Sequence, residues 1–185
     1  FLAPGDTSLY DWTGILEFEK LPYSYNPSSG YVASANNRTI SDDYPYYISR
    51  WFDLPNRFER ITEFLESDDK LSVEDFKTLQ SDQKSKWAEK LVPYFTGLLA
   101  GGVESASDEY KQAYALLSAW DFEMDPESVE ATIFERFYVD FLYYMFSDEL
   151  GEELFNELIK EDLLAAYLIE KIRLTNESAF FDNVN

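Results

Sequence analysis

Apolar side chains are laid out in two different ways along this chain. Through about the first 50 residues they come singly or in short groups cut by turn formers: Pro4-Gly5-Asp6, Leu21-Pro22, Asn26-Pro27-Ser28-Ser29-Gly30 and Asn36-Asn37. Asn-Pro followed by Ser-Ser-Gly predicts a turn, because Pro presets φ and Gly accepts positive φ. The segment leaving that turn, Gly30-Tyr31-Val32-Ala33-Ser34, alternates loosely and predicts a strand.

After Asp53 the spacing becomes helical. Phe58, Ile61, Phe64 and Leu65 share one face, with Pro55 where a helix start tolerates it. Ser72-Val73-Glu74-Asp75 predicts a helix entry, with Ser72 as N-cap and acids in the first turn. Trp87, Leu91, Tyr94, Phe95 and Leu98 mark a third helix, interrupted by Pro93 and stopped at Gly101-Gly102. Asp108 is placed to cap a helix bearing Tyr110, Ala113, Leu116, Leu117 and Trp120. Apolar positions at helical spacing fill 132–146 and resume from Leu154 to Ile172. The pattern therefore predicts a mainly α chain of roughly six helices with a small β-containing N-terminal part. The division falls at 1–52, turn-rich, and 53–185, helical.

Composition narrows the chemistry. Apolar residues make up 45% of the 185, enough for a real core despite the charge. The net charge is −21, and 17 acids against 4 bases fall between Asp121 and Asn185. Such a surface is a poor match for nucleic acid or an anionic membrane. No apolar run approaches the ~18–20 residues of a membrane span. With neither Cys nor His present, disulfides, thiolate nucleophiles, Cys/His zinc sites and a Ser-His-Asp triad within the chain are excluded. No metal or cofactor is called for by any motif.

One ordered series is more informative. It begins with Trp12-Thr13-Gly14 and Asn26-Pro27, then runs through Gly30-Tyr31-Val32-Ala33-Ser34-Ala35-Asn36-Asn37 and Asp43-Tyr44-Pro45. Arg60-Ile61, Leu71-Ser72-Val73-Glu74-Asp75 and Leu79-Gln80-Ser81-Asp82 follow. In order and spacing, residues 11–92 resemble the penicillin amidase family of N-terminal-nucleophile acylases. Trp120-Asp121 and Phe181-Asp182-Asn183 resemble later family positions more weakly.

The resemblance implies a segment of an αββα sandwich and hydrolysis of linear carboxamides through an acyl-enzyme. In such enzymes an N-terminal Ser is the nucleophile and its own α-amino group the base, since an α-amino group ordinarily titrates at about pH 8. Phe1 is not such a residue, so the resemblance implies an internal piece of the large chain, inactive alone. Its partners would be the small chain, the N-terminal part of the large chain and a small-molecule amide. By motif match Asn36 would donate to the oxyanion from its side-chain amide, with Asn37 the neighbouring alternative. Arg60 would position the reacting groups, and Phe52 falls at a substrate-lining position. Some family members hold calcium with an acid five residues after the Asp of Asp-Tyr-Pro, where this chain has Ile48. A secreted or periplasmic location is the family's implication.

Plainer readings stand beside these. Asn-Asn pairs are common in turns. Arg60 has Glu59 and Glu63 for surface ion pairs. Gln80 and Asp82 suit bonds to loop backbone. The pairs Asp148-Glu149 and Glu152-Glu153 do not share a helix face, so a solvated surface accounts for them. The rival to the acylase reading as a whole is a non-catalytic, acidic, helical interaction domain.

Overall fold

The computed structural model describes residues 4–49, 51–68, 70–160, 162–177 and 180. Phe181-Asp182-Asn183 therefore lies outside the described residues. The chain divides into two compact units: residues up to Val32 with Ile40–Pro45, and Ala33–Thr39 with Tyr46 onward.

The first unit is held by local bonds. Two 3-10 turns occur at Ser8–Tyr10 and Phe18–Lys20, and Thr7 Oγ1 accepts from the Leu9 amide. The Asn26–Gly30 turn forms as its residues dictate: the Gly30 amide donates to Pro27 O at 3.0 Å, and Asn26 and Gly30 take positive φ. Tyr44 Oη reaches back to Lys20 O at 2.6 Å. None of this unit's described residues is buried.

The strand expected at 30–34 is not formed. Among the described residues the only β pairings are two isolated bridges, Asn37 with Asp53 and Lys84 with Glu123. Alternation prepares a segment for a sheet, but a strand exists only when a neighbour takes its N–H and C=O groups. The mainly α expectation holds, whereas the small β part does not appear.

The second unit carries six α-helices among the described residues: α1 Asn56–Leu65, α2 Val73–Gln80, α3 Lys86–Leu99, α4 Asp108–Ala119, α5 Val129–Leu158 and α6 Asp162–Thr175. Their starts follow from capping chemistry. Ser72 and Asp75 form a reciprocal capping box on α2. Ser85 and Ser128 cap α3 and α5 through their side-chain oxygens. The cap of α4 is Ser107, one residue before the expected Asp108, which instead lies in the first turn and faces the positive helix end. Pro93 sits inside α3, and Thr96 Oγ1 donates to Val92 O there at 2.8 Å. Gly151, at φ 69° and ψ 170°, breaks α5 where a side chain would be strained.

The core lies between α3, α4, α5 and α6. Ala88, Leu91, Val92 and Phe95 of α3 meet Phe134, Leu142, Met145 and Phe146 of α5 and Ala165, Ile169 and Ile172 of α6. Phe95 sits 4.9 Å from Phe137 and 4.8 Å from Phe141 between ring centroids. Trp120 closes the α4 end against Phe134 and donates from Nε1 to Glu123 O at 3.2 Å. Of the α5 aromatics, Phe134 and Phe146 are buried and Phe137, Tyr138 and Phe141 pack against the core, while Tyr143 and Tyr144 are exposed. No described helix is long and apolar enough to cross a membrane.

Candidate active site

The Asn36-Asn37 pair is built by opposite conformational demands. Asn36 adopts φ 61°, the left-handed region that Asn tolerates better than most residues. That kink sends successive carboxamides to different surroundings. Asn37 is buried, its Oδ1 accepting from the Ala35 amide at 3.0 Å and its Nδ2 donating to Arg38 O at 3.1 Å. Both ends of its amide are engaged in holding the turn. Asn36 is exposed.

The Asn36 backbone is fixed from the segment leading into α1. Its carbonyl accepts from the Asp53 amide at 2.9 Å, beside the Asn37–Asp53 bridge. Its side-chain Oδ1 receives Arg57 Nη1 at 3.5 Å, a long contact. Its Nδ2 donates to none of the described residues. The carboxamide thus has one long contact at its oxygen and none at its nitrogen among the described residues.

Arg57 was not singled out from the sequence, which pointed to Arg60. The structure gives the two arginines different neighbours. Arg60 forms a fork on Asp82, with Nε 3.0 and 3.1 Å from the two carboxylate oxygens and Nη2 2.5 Å from Oδ2. Its Nη1 reaches Glu63 Oε2 at 3.1 Å. The hydrogen bond from Arg60 holds the Asp82 carboxyl below its usual range, and that same bond raises the guanidinium further. Asp82 also accepts from the Lys84 amide at 3.2 Å, so it does bond loop backbone. The Arg60–Asp82 pair is thus a partly buried strut, with side chains 23% and 15% exposed. Asn36 is not among its partners.

Phe52 is half-buried, and its carbonyl accepts from Tyr167 Oη at 2.9 Å, which ties the 52–53 segment to α6. A groove of about 590 Å³ opens beside the start of α1, lined among others by Arg57, Arg60, Ile61, Leu79, Asp82 and Trp87. Neither Asn36 nor Phe52 lines it. Its cations are matched by acids, since Lys86 pairs with Glu63 and Glu89 and Lys84 with Glu89. The geometry thus brings Asn36, Asp53 and Arg57 together, while Arg60 bonds Asp82 and Glu63 and the Phe52 carbonyl bonds Tyr167.

Glu152 and Glu153 are exposed as expected, while Asp148 and Glu149 are half-buried in the helical turn before the Gly151 break. Among the described residues no group of acids could hold a metal ion.

Asn36 is thus an exposed carboxamide on a turn with left-handed backbone, and its Nδ2 has no partner among the described residues. The penicillin amidase family profile matches residues 1–185. This chain belongs to the penicillin amidase family. It is 30% identical over 160 residues to the acyl-homoserine lactone acylase QuiP of Pseudomonas syringae pv. tomato, covering 82% of this chain and 19% of that protein. It is 30% identical over 137 residues to the penicillin acylase 2 proenzyme of a Pseudomonas species, covering 73% and 17%. A 43-residue stretch is 51% identical to penicillin G acylase of Escherichia coli, covering 23% of this chain and 5% of that protein. The chain thus spans about one fifth of the length of the curated relatives first matched. No solved structure gave a significant match.

Proposed function

We propose that this chain supplies one oxyanion donor, the Asn36 carboxamide, to an acylase that hydrolyses linear N-acyl amides through an acyl-enzyme. One observation carries this reading. Asn36 is exposed with its amide oxygen held by Arg57 and its N–H groups open, while Asn37 is buried and internally bonded. That contrast favours Asn36 over its neighbour.

In this mechanism the remainder of the acylase brings an N-terminal Ser whose α-amino group takes the hydroxyl proton. The oxygen attacks the acyl carbonyl, and the developing alkoxide accepts hydrogen bonds from Asn36 Nδ2. Collapse of the tetrahedral species releases the amine with that proton. Water then attacks the ester by the same route reversed, freeing the acid. Arg60 acts as a positioning residue through the Asp82 strut, which ties the middle of α1 to the loop before α3. Phe52 lines the acyl side of the site, next to the Asp53 bridge. The sheets of the αββα sandwich come from the rest of the polypeptide. Trp12, Ile15 and Tyr25, each about nine-tenths exposed, support its being a close partner.

The test is Asn36→Ala in the complete acylase, assayed on a chromogenic phenylacetyl or fatty-acyl amide. Loss of an oxyanion donor costs about 10²–10³ in kcat. A variant that folds normally and turns over at the parent rate would sink the assignment.

A further inference from the structure

Asp53 is linked to Asn36 by two routes, one direct and one through Arg57. Its backbone amide donates to Asn36 O at 2.9 Å, so it fixes where the turn begins. Its carboxylate lies 3.8 Å from Arg57 Nη1, the same nitrogen that donates to Asn36 Oδ1 at 3.5 Å. Arg57 is the second residue of α1, where the positive end of the helix disfavours a cation. Its side chain is also 69% exposed. Left alone, such a side chain would sample open solvent. A carboxylate four residues earlier, just outside the helix start, counters the helix field and draws the guanidinium toward the Asn36 oxygen.

We infer that Asp53 is a positioning residue for the oxyanion donor, acting through Arg57 on the orientation of the Asn36 carboxamide. This rests on the role proposed for Asn36. A guanidinium on Oδ1 does two things. It fixes which end of the amide faces outward, and it draws electron density from the amide, making Nδ2 a better donor to a developing negative charge. Neither effect needs Asp53 to touch substrate. Both ions are exposed, so the coupling is modest.

The experiment is a mutant cycle in the complete acylase, reading kcat and KM on one chromogenic acyl amide. Asp53→Asn is expected to lower kcat about threefold to tenfold with KM within twofold, since only the transition state carries the oxyanion. Asp53→Glu, whose longer carboxylate still reaches Arg57, should recover at least half of the parent kcat. In an Asn36→Ala background, Asp53→Asn should have no further effect, because the group it positions is gone. A purely structural role would give the opposite: equal losses in both backgrounds, or a parallel fall in melting temperature. Either result, or an unchanged kcat for Asp53→Asn, overturns the inference. If Asn36→Ala itself leaves kcat intact, it is the oxyanion reading that fails, and the two failures are told apart.

Discussion

The two units of this chain have similar appetites for apolar residues and satisfy them in opposite ways. In the first, Leu9, Trp12, Ile15, Phe18, Tyr23 and Tyr25 all face solvent. In the second, Phe95, Phe134 and Phe146 are almost completely enclosed. The difference is one of geometry, not composition. Turn formers every few residues keep the first segment from presenting a continuous apolar face. Helical spacing, in contrast, stacks side chains three and four apart into stripes that several helices cover together. An apolar residue stabilises only the fold that can enclose it.

The largest effect that would sharpen this contrast is expected at Phe134, which is 1% exposed and lies against Trp120 and Tyr138. Phe134→Ala should destabilise the chain by about 3–5 kcal/mol, seen as a lowered urea midpoint. A loss below about 1 kcal/mol would mean that the helical core is loosely packed.

An intermediate effect is expected at the Arg60–Asp82 strut. Asp82→Asn should cost about 1–3 kcal/mol near neutral pH. Its pH dependence has a definite sign. The Arg60 hydrogen bond depresses the Asp82 carboxyl in the folded state. The stability it contributes is therefore fully present above the unfolded value, about 4. It is lost as pH falls further, through the lower folded value. Urea titrations of parent and variant should differ by a constant amount above about pH 5 and converge at more acid pH. Curves that stayed parallel throughout would place the effect elsewhere than in that ion pair.

The smallest effect belongs to the first unit. Trp12, 93% exposed, buries almost nothing within this chain. Trp12→Ala should change the stability of the chain by no more than about 0.5 kcal/mol. On the proposed function, the same substitution should matter far more in a complete acylase. A large loss in the chain alone would show that Trp12 has a burial partner here.

Individual residues show which parts of the fold could be read from the sequence. Ser72 could be identified as a helix start because its partner, Asp75, is three residues away and the capping box closes locally. At α4 the same logic missed by one position, since Ser107 and Asp108 are both good caps and only the backbone chooses between them. The alternation at 30–34 predicts a strand that does not form, because pairing depends on a neighbour remote in sequence. At the site, the sequence shows the Asn36 motif and points to Arg60 as its companion. Arg57 lies 21 residues from Asn36, and no motif ties one to the other. The i, i+4 spacing of Asp53 and Arg57 was the one available signal, an acid before a helix start paired with a cation in its first turn.

By itself, then, the sequence determined the helical character of residues beyond Asp53, the caps, the acidic surface and the absence of histidine and thiol chemistry. These follow from periodicity, short-range hydrogen bonding and residue inventory, which need no knowledge of distant contacts. The tertiary structure decided which asparagine amide stays open, which arginine meets it and which one is tied up in a strut. Those choices turn on the left-handed backbone at Asn36 and on contacts across more than twenty residues, where only folding sets the distances.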